Sequence, residues 1–277
     1  MIFANPLAQA CKDRGVLVAA HRGVAAGNIP CNSLPAFEAA LYQGADMLET
    51  DLAPSGDGQL LVFHPHKEKS HLNKDIHLEE MTMEEISKLR FVNVDNDATD
   101  YGILTLDQFL ETYKNRCFIN LDHGWDHMAQ MVEAVRRHKM EDQVLLKAPN
   151  KMKYVDMLEA LAPEMMFMPI YKEKDEMTEL LEHRNINFVG VELVFSSDDS
   201  YLASEEYIES HHAKGRVLWA NPIIYYYKSQ LTGGHSDDVA VVGDPENGWG
   251  WLMDKGFDIL QTDWVMPLRH FINNRKK

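Results

Sequence analysis

Apolar and polar positions along this chain alternate between short, nearly continuous apolar runs and stretches with helical spacing. Residues 16–20, Val-Leu-Val-Ala-Ala, form one such run and end in His21-Arg22-Gly23, the composition of a buried strand. Leu34, Phe37, Ala40 and Leu41 then keep helical spacing, with Asn32 or Ser33 placed to cap the helix and Gly44 to stop it. Residues 45–65, ADMLETDLAPSGDGQLLVFHP, contain two apolar runs divided by a Pro-Ser-Gly-Asp-Gly turn. Glu49 and Asp51 stand two apart and so point to one side of the first run, and His64 closes the second. Further strands are expected at 117–121, 144–146, 166–170, 188–191, 217–220 and 259–261, with helices between them, for example at 106–113, 127–138 and 153–161. This alternation implies a parallel sheet with crossover helices, whose chemistry gathers at the carboxyl ends of the strands. It yields nine candidate strands for the eight positions of an α/β barrel, so one of them lies outside the barrel. The stretch from His66 to Asp100 is polar, with helical spacing only at 83–89 behind Thr82; so long a connection reads as a lid or specificity insert, or as a solvated excursion.

Composition narrows the class of function. The chain has 277 residues, 45% hydrophobic and 25% charged, ordinary values for a globular protein. It has no internal repeat and no convincing linker, so a single domain over 1–277, with an insertion at about 66–102, is the simplest account. No apolar run approaches the roughly 18–20 residues needed to span a bilayer. The amino-terminal stretch lacks the basic and apolar parts of a signal peptide, and three cysteines without a Cys-x-x-Cys suit a reducing compartment. A cytoplasmic location is expected. A formal charge of −16 counts against nonspecific binding to nucleic acid or to an anionic membrane. An anionic substrate is compatible with that charge, because a divalent cation or a local Arg/Lys pair reverses the field inside one cleft. The sequence leaves the oligomeric state open.

Several motifs, in order, resemble the glycerophosphodiester phosphodiesterase family: AAHRG at 19–23, PCNSLPAFEAAL at 30–41, GADMLETDL at 44–52 and GDGQLLVFHP at 56–65, then MTMEEISKLR at 81–90, ILTLDQFL at 103–110, VLWANP at 217–222 and GFDILQTDW at 256–264. They span nearly the whole chain, with His64 43 positions after His21. The resemblance implies a TIM (β/α)8 barrel of the phospholipase-C-like phosphodiesterase type, with an insertion after the strand ending at His64. It also implies one divalent cation, Mg²⁺ or Ca²⁺, and hydrolysis of a phosphodiester to a phosphomonoester and an alcohol. Carried over position by position, His21 and His64 are the acid–base pair, Glu49 and Asp51 ligate the metal, and Arg22 holds a phosphate oxygen. The chain departs from the family pattern at three places. Pro-Glu-Asn-Thr becomes Pro30-Cys31-Asn32-Ser33, His-Asp becomes His64-Pro65, and the strand that ends Glu-x-Lys in the family ends Asn120-Leu121-Asp122.

The residues also carry a reading of their own. Two carboxylates interrupting an apolar run suit a hard cation that wants oxygen ligands, or a structural ion pair. Histidine titrates in the range needed for proton transfer near neutral pH. Asn120 and Asp122 share a face; Asn120 offers an amide oxygen, while Asp122 replaces the missing carboxylate or pairs with Lys147 on the next strand. Arg22 and Lys147 together suit a phosphoryl group, one as a fork and the other as a point charge. Glu192, Trp219 and Asn221 are pocket candidates at later strand ends, with core packing the competing account for Trp219. The loop 233–251, with three aspartates and two tryptophans, reads as a mobile rim that grips polyol hydroxyls or as an ordinary surface loop. The His64-x-His66 and His123-x3-His127 spacings read as fortuitous. The expected partner is a small phosphodiester or polyol. The alternatives are a lyase or hydrolase acting on a non-phosphate polyol or sugar, an amidohydrolase-like site using His64, His66, Lys147 and Asp263, and a barrel that binds a ligand without turnover.

Overall fold

The structure, a computed structural model, describes residues 3–224 and 229–275. Its strands are β1 (Leu17–His21), β2 (Met47–Pro54), β3 (Leu60–Val62), β4 (Phe118–Asp122) and β5 (Val144–Pro149), followed by β6 (Met166–Lys172), β7 (Gly190–Val194), β8 (Val217–Ala220) and β9 (Ile259–Thr262). Eight of them run parallel in the order β1-β2-β4-β5-β6-β7-β8-β9, and pairing of β9 with β1 closes the barrel. The strand outside the barrel is β3. It lies antiparallel to the end of β2, with Leu52 opposite Val62 and Pro54 opposite Leu60, across the Pro-Ser-Gly-Asp-Gly turn. His64 therefore follows a hairpin strand and does not end a barrel strand as the apolar run alone suggests.

The period of two along each strand sorts the side chains. Leu17, Ala19, Met47, Leu145, Met166, Met168, Val217, Trp219 and Ile259 share one cluster inside the barrel, and alternate residues such as Val18, Leu48, Leu146 and Leu218 pack outward with the helices. Continuing the inward parity toward the carboxyl ends gives His21 on β1, Glu49 and Asp51 on β2, Asn120 and Asp122 on β4, Lys147 on β5, Glu192 on β7 and Gln261 on β9. The barrel is thus apolar at its floor and polar at its mouth. The amino-terminal helix Pro6–Arg14 adds Leu7 and Ala10 to the floor cluster, tied down by Asn5 Nδ2, which donates to the carbonyls of Val189 and Gly215.

The expected helices are present, at Leu34–Tyr42, Leu106–Tyr113, Met128–His138 and Met152–Leu161. Ser33 caps the first through its hydroxyl, and Asn32 is free for another use. The connection from β3 to β4 is folded. It contains helices Glu68–Leu72 and Met83–Ile86, the latter with a Thr82/Glu85 capping box, and it buries Leu72, Leu78, Ile86, Leu89 and Phe91 against Ala53, Leu61 and Phe63 of the hairpin. Gly190 stands where β7 meets β8 so closely that a Cβ would lie 2.1 Å from the Val217 carbonyl oxygen. Strand β7 runs on to Val194, two residues beyond Glu192, which places that carboxylate within the strand.

Candidate active site

The site begins where β1 ends. Arg22 (φ 56°) and Gly23 (φ 78°) are consecutive left-handed residues, a turn that L side chains rarely adopt. At Gly23 a Cβ would lie 2.6 Å from the Ala36 backbone, so glycine lets the following helix close on the strand. The turn aims the Arg22 amide at β2, where it donates to the Glu49 carbonyl and to Glu49 Oε2, each at 3.1 Å. Register sets His21 opposite Glu49, and Glu49 opposite Asn120, so three polar side chains form one layer across β1, β2 and β4.

Both carboxylates of β2 are buried, at 1% exposure for Glu49 and 2% for Asp51. Asp51 Oδ2 lies 2.8 Å from Arg22 Nε and accepts from Asn32 Nδ2 at 3.2 Å, and Thr50 Oγ1 donates to Asn32 Oδ1 at 3.0 Å to orient that amide. Burial pushes the Asp51 pKa up, but Arg22 and the three histidines 64, 123 and 21 outweigh it and hold the carboxyl below its ordinary range. Glu49 goes the other way. Burial, then the charges of Asp51 and Asp122, raise it well above an ordinary carboxyl, against the opposing pull of Arg22 and Lys147. Asn120 Oδ1 is sealed from solvent with no hydrogen-bond partner among the described residues, while its Nδ2 donates to the Leu145 carbonyl.

The two expected histidines are each fixed through Nδ1. His21, 8% exposed, lies with Nδ1 2.7 Å from Asp263 Oδ1, just past β9. His64 Nδ1 is 2.8 Å from the Pro65 carbonyl oxygen. Since a carbonyl and a carboxylate only accept, each Nδ1 carries a proton, and in the neutral ring Nε2 is the unprotonated nitrogen. The β2–β3 hairpin returns the chain so that the Phe63 amide donates to the Asp51 carbonyl, which brings His64 Nε2 to 4.0 Å from Asp51 Oδ1. Burial lowers the His64 pKa, and Arg22 and His123 add to this against the pull of Asp51.

His123 joins this group, with Nε2 3.8 Å from Asp51 Oδ1 and its ring 4.6 Å from the His64 ring. Asp51, His64 and His123 offer ligand atoms within 4.8 Å of one another. The His123-x3-His127 spacing is not what brings His123 here, since His127 bonds Gln130 on the surface. The first residue past β4 arrives because β4 is next to β2. Asp263 is met as the partner of His21, and Asn32 as a support of Asp51. Sequence signals for both existed in the quoted motifs, in TDW and PCNS, but no periodicity pointed to their roles. Cys31, where the family has glutamate, contacts His71 Nε2 at 3.7 Å, and burial pushes its thiol up to about 11, so no charge replaces the missing carboxylate.

The remaining candidates form a second group across the mouth. Lys147 is one step past the last register pair of β4 and β5, level with Asp122, yet its Nζ lies 2.6 Å from Glu192 Oε2 and 3.6 Å from the centre of the Trp219 ring. Asn221 Nδ2 donates to Glu192 Oε1 at 2.7 Å, and Trp219 Nε1 donates to Asn221 Oδ1 at 2.8 Å. A buried ammonium takes the partner that also has its other oxygen satisfied; Asp122 is half-exposed, and its Oδ1 is engaged by the His123 amide. Beyond this group a cavity of about 670 Å³ opens from Asp122 and His123 on one side to Gln261 on the other.

The loop 233–251 does not form an open rim. Helix Asp237–Val241 turns Asp237 inward, where it accepts from Trp249 Nε1 (2.7 Å), Thr262 Oγ1 (2.8 and 2.9 Å) and the Asp263 amide (2.9 Å). Burial raises Asp237 to about 7. The loop thus braces the end of β9, from which Asp263 reaches His21.

The donor set fits a hard divalent cation: two buried carboxylates, where burial and then repulsion from Asp51 and Asp122 raise Glu49, and an amide oxygen on Asn120 with no partner among the described residues. Among known proteins, a family described only as a domain of unknown function matches residues 167–272. A glycerophosphodiester phosphodiesterase of Caldanaerobacter subterraneus subsp. tengcongensis is 28% identical over 167 residues, 56% of this chain and 67% of that protein. The structure of a glycerophosphoryl diester phosphodiesterase from Parabacteroides distasonis superposes with a TM-score of 0.78 at 18% identity, covering 99% of this chain and 93% of the other. A phosphodiesterase from Oleispira antarctica, solved with the product sn-glycerol-3-phosphate, gives 0.66 at 20% identity over 93% and 96%. With the closed barrel, the motif order and these matches together, the chain is a divergent relative of the glycerophosphodiester phosphodiesterases.

Proposed function

We propose that this protein hydrolyses a glycerophosphodiester-like substrate to a phosphomonoester and an alcohol, by metal-dependent catalysis with two histidines. The observation that carries the reading is the pair of rings tethered through Nδ1, both acting on the buried Asp51 carboxylate that Arg22 also faces. A glycerophosphodiester suits such a site, since a relative of known structure holds sn-glycerol-3-phosphate as product.

Glu49 and Asp51, with Asn120 Oδ1 and Asp122 beside them, would hold the cation. A bound divalent cation there supplies charge stabilisation for a nonbridging phosphate oxygen. Arg22 faces a second oxygen of the phosphoryl group. His64, kept neutral near pH 7 by burial, takes the proton of the nucleophile, which is water or a hydroxyl of the substrate. As the new P–O bond forms and the bond to the leaving alcohol breaks, His21 in its doubly protonated form gives the alkoxide a proton from Nε2, and Asp263 keeps the ring in place. Lys147, engaged by Glu192, supports the floor of the mouth and leaves Arg22 as the main anion contact.

The test is product release from glycerophosphocholine, glycerophosphoethanolamine and glycerophosphoinositol with Mg²⁺, Ca²⁺ or EDTA. Metal-dependent release of glycerol 3-phosphate is expected, and His21→Ala and His64→Ala should each cost about 10²-fold or more while the fold persists. Wild-type-like turnover in either variant would sink the assignment. Failure of all phosphodiesters, with turnover of a sugar or polyol lacking phosphate, would favour the alternative that Asn120 and Asp122 raise.

A further inference from the structure

The reaction groups stand over β1 and β2, with His123 at their edge, and the 670 Å³ cavity covers the rest of the mouth. Glycerol alone is far smaller than that space, which falls within the roughly 300–1,000 Å³ of sites that enclose a drug-sized ligand. The cavity continues from His123, so a group attached to a phosphate at Arg22 and Asp51 has a way into it.

The chemistry of the wall selects the kind of group. Trp125 offers an apolar face beside His123, the two rings tilted by 38° with centres 4.8 Å apart. Three amides line the same cavity. Asn150 has an Oδ1 with no hydrogen-bond partner among the described residues, an acceptor that needs a donor. Asn221 has one amide proton committed to Glu192 and retains a second, and Gln261 is buried at 3% exposure on β9. Charge on the described wall is balanced, although the protein as a whole is strongly acidic. Lys172 and Lys174 at the rim offset Asp122 and Glu176, and the carboxylate of Glu192 is neutralised by Lys147. A quaternary ammonium is recognised by several aromatic faces or by unbalanced negative charge, and among the described residues the wall offers one indole and no net charge. Hydroxyl groups, which both donate and accept, match the amides, and the apolar face of a sugar or cyclitol ring matches the indole.

Resting on the phosphodiesterase reading above, we propose that this cavity binds an uncharged, polyhydroxylated substituent of the phosphodiester, of cyclitol or sugar size, in preference to choline or ethanolamine. Two measurements test it. The first is kcat/KM for glycerophosphoinositol against glycerophosphocholine and glycerophosphoethanolamine, with at least a tenfold preference for the inositol diester expected. In Trp125→Ala and Asn150→Ala that preference should shrink toward unity. The second is calorimetric binding of the same diesters to His21→Ala, where the inositol diester should bind more tightly. Equal or reversed preference in either measurement overturns the proposal. Retained preference in binding with no hydrolysis by the wild type would instead overturn the phosphodiesterase reading and leave the cavity assignment standing.

Discussion

Lys147 provides the sharpest test of how the mouth of the barrel is held together. Its side chain is fully buried, its Nζ sits 2.6 Å from Glu192, and it also rests over the Trp219 ring. Replacing it by methionine keeps most of the volume and removes the charge, leaving Glu192, at 8% exposure, with Asn221 as its one side-chain donor among the described residues. Breaking one partner of a buried pair costs about 3–5 kcal/mol. Because the Asn221 bond remains, we expect the lower end, about 3 kcal/mol. For a chain of this size that is a fall in Tm of roughly 6–12 °C. The double variant Lys147→Met/Glu192→Gln removes both charges, keeps an acceptor and a donor for Asn221, and should recover about 2 kcal/mol, since replacing both members of a buried pair is often near neutral. Urea denaturation of the three proteins at pH 7, with thermal melts alongside, measures both differences. If the single variant loses less than about 1 kcal/mol, or the double is no more stable than the single, the lysine is not neutralised by Glu192. It would then be available for a phosphoryl group, as its place at a strand end first suggests.

Three further expectations follow from the site. Asp263→Asn keeps the shape but withdraws the charge that holds His21 Nδ1, so kcat should fall at least tenfold with little change in Tm; unchanged kcat would mean the ring is positioned by packing alone. Mg²⁺ or Ca²⁺ at about 100 times its Kd should stabilise the wild type by about 2.7 kcal/mol and leave Glu49→Gln nearly unmoved; an equal shift in both proteins would place the ion elsewhere. Asp237, raised to about 7 by burial, binds a proton in the folded state that the unfolded chain has released above its ordinary pKa. Its contribution is therefore present below about pH 4 and is lost as pH rises through about 7. Asp237→Asn removes this titration, so stability of the variant relative to the wild type should rise by roughly 2–4 kcal/mol between pH 4 and 8. A pH-independent difference between the two would refute the assignment.

The strands, their parallel order and the polar residues at their ends follow from local chemistry, because apolar runs with a period of two and helices with a period of 3.6 do not depend on distant contacts. The same parity places Glu49 beside Asp51 and Asn120 beside Asp122 before any fold is known. Which apolar run stays outside the barrel does not follow. Leu60–Val62 has strand composition, and only the turn at 54–58, folded back on β2, makes it a hairpin arm that delivers His64 to Asp51. Partnerships between side chains far apart in sequence are likewise decided by closure of the barrel. Closure of β9 onto β1 brings Asp263 to His21, 242 positions away. Neighbouring of β4 and β2 brings His123 to the same carboxylate as His64. Lys147, level with Asp122 on the next strand, turns instead to Glu192, because a buried charge goes to the partner whose remaining hydrogen bonds are met, and that partner is set by the packing of the whole mouth.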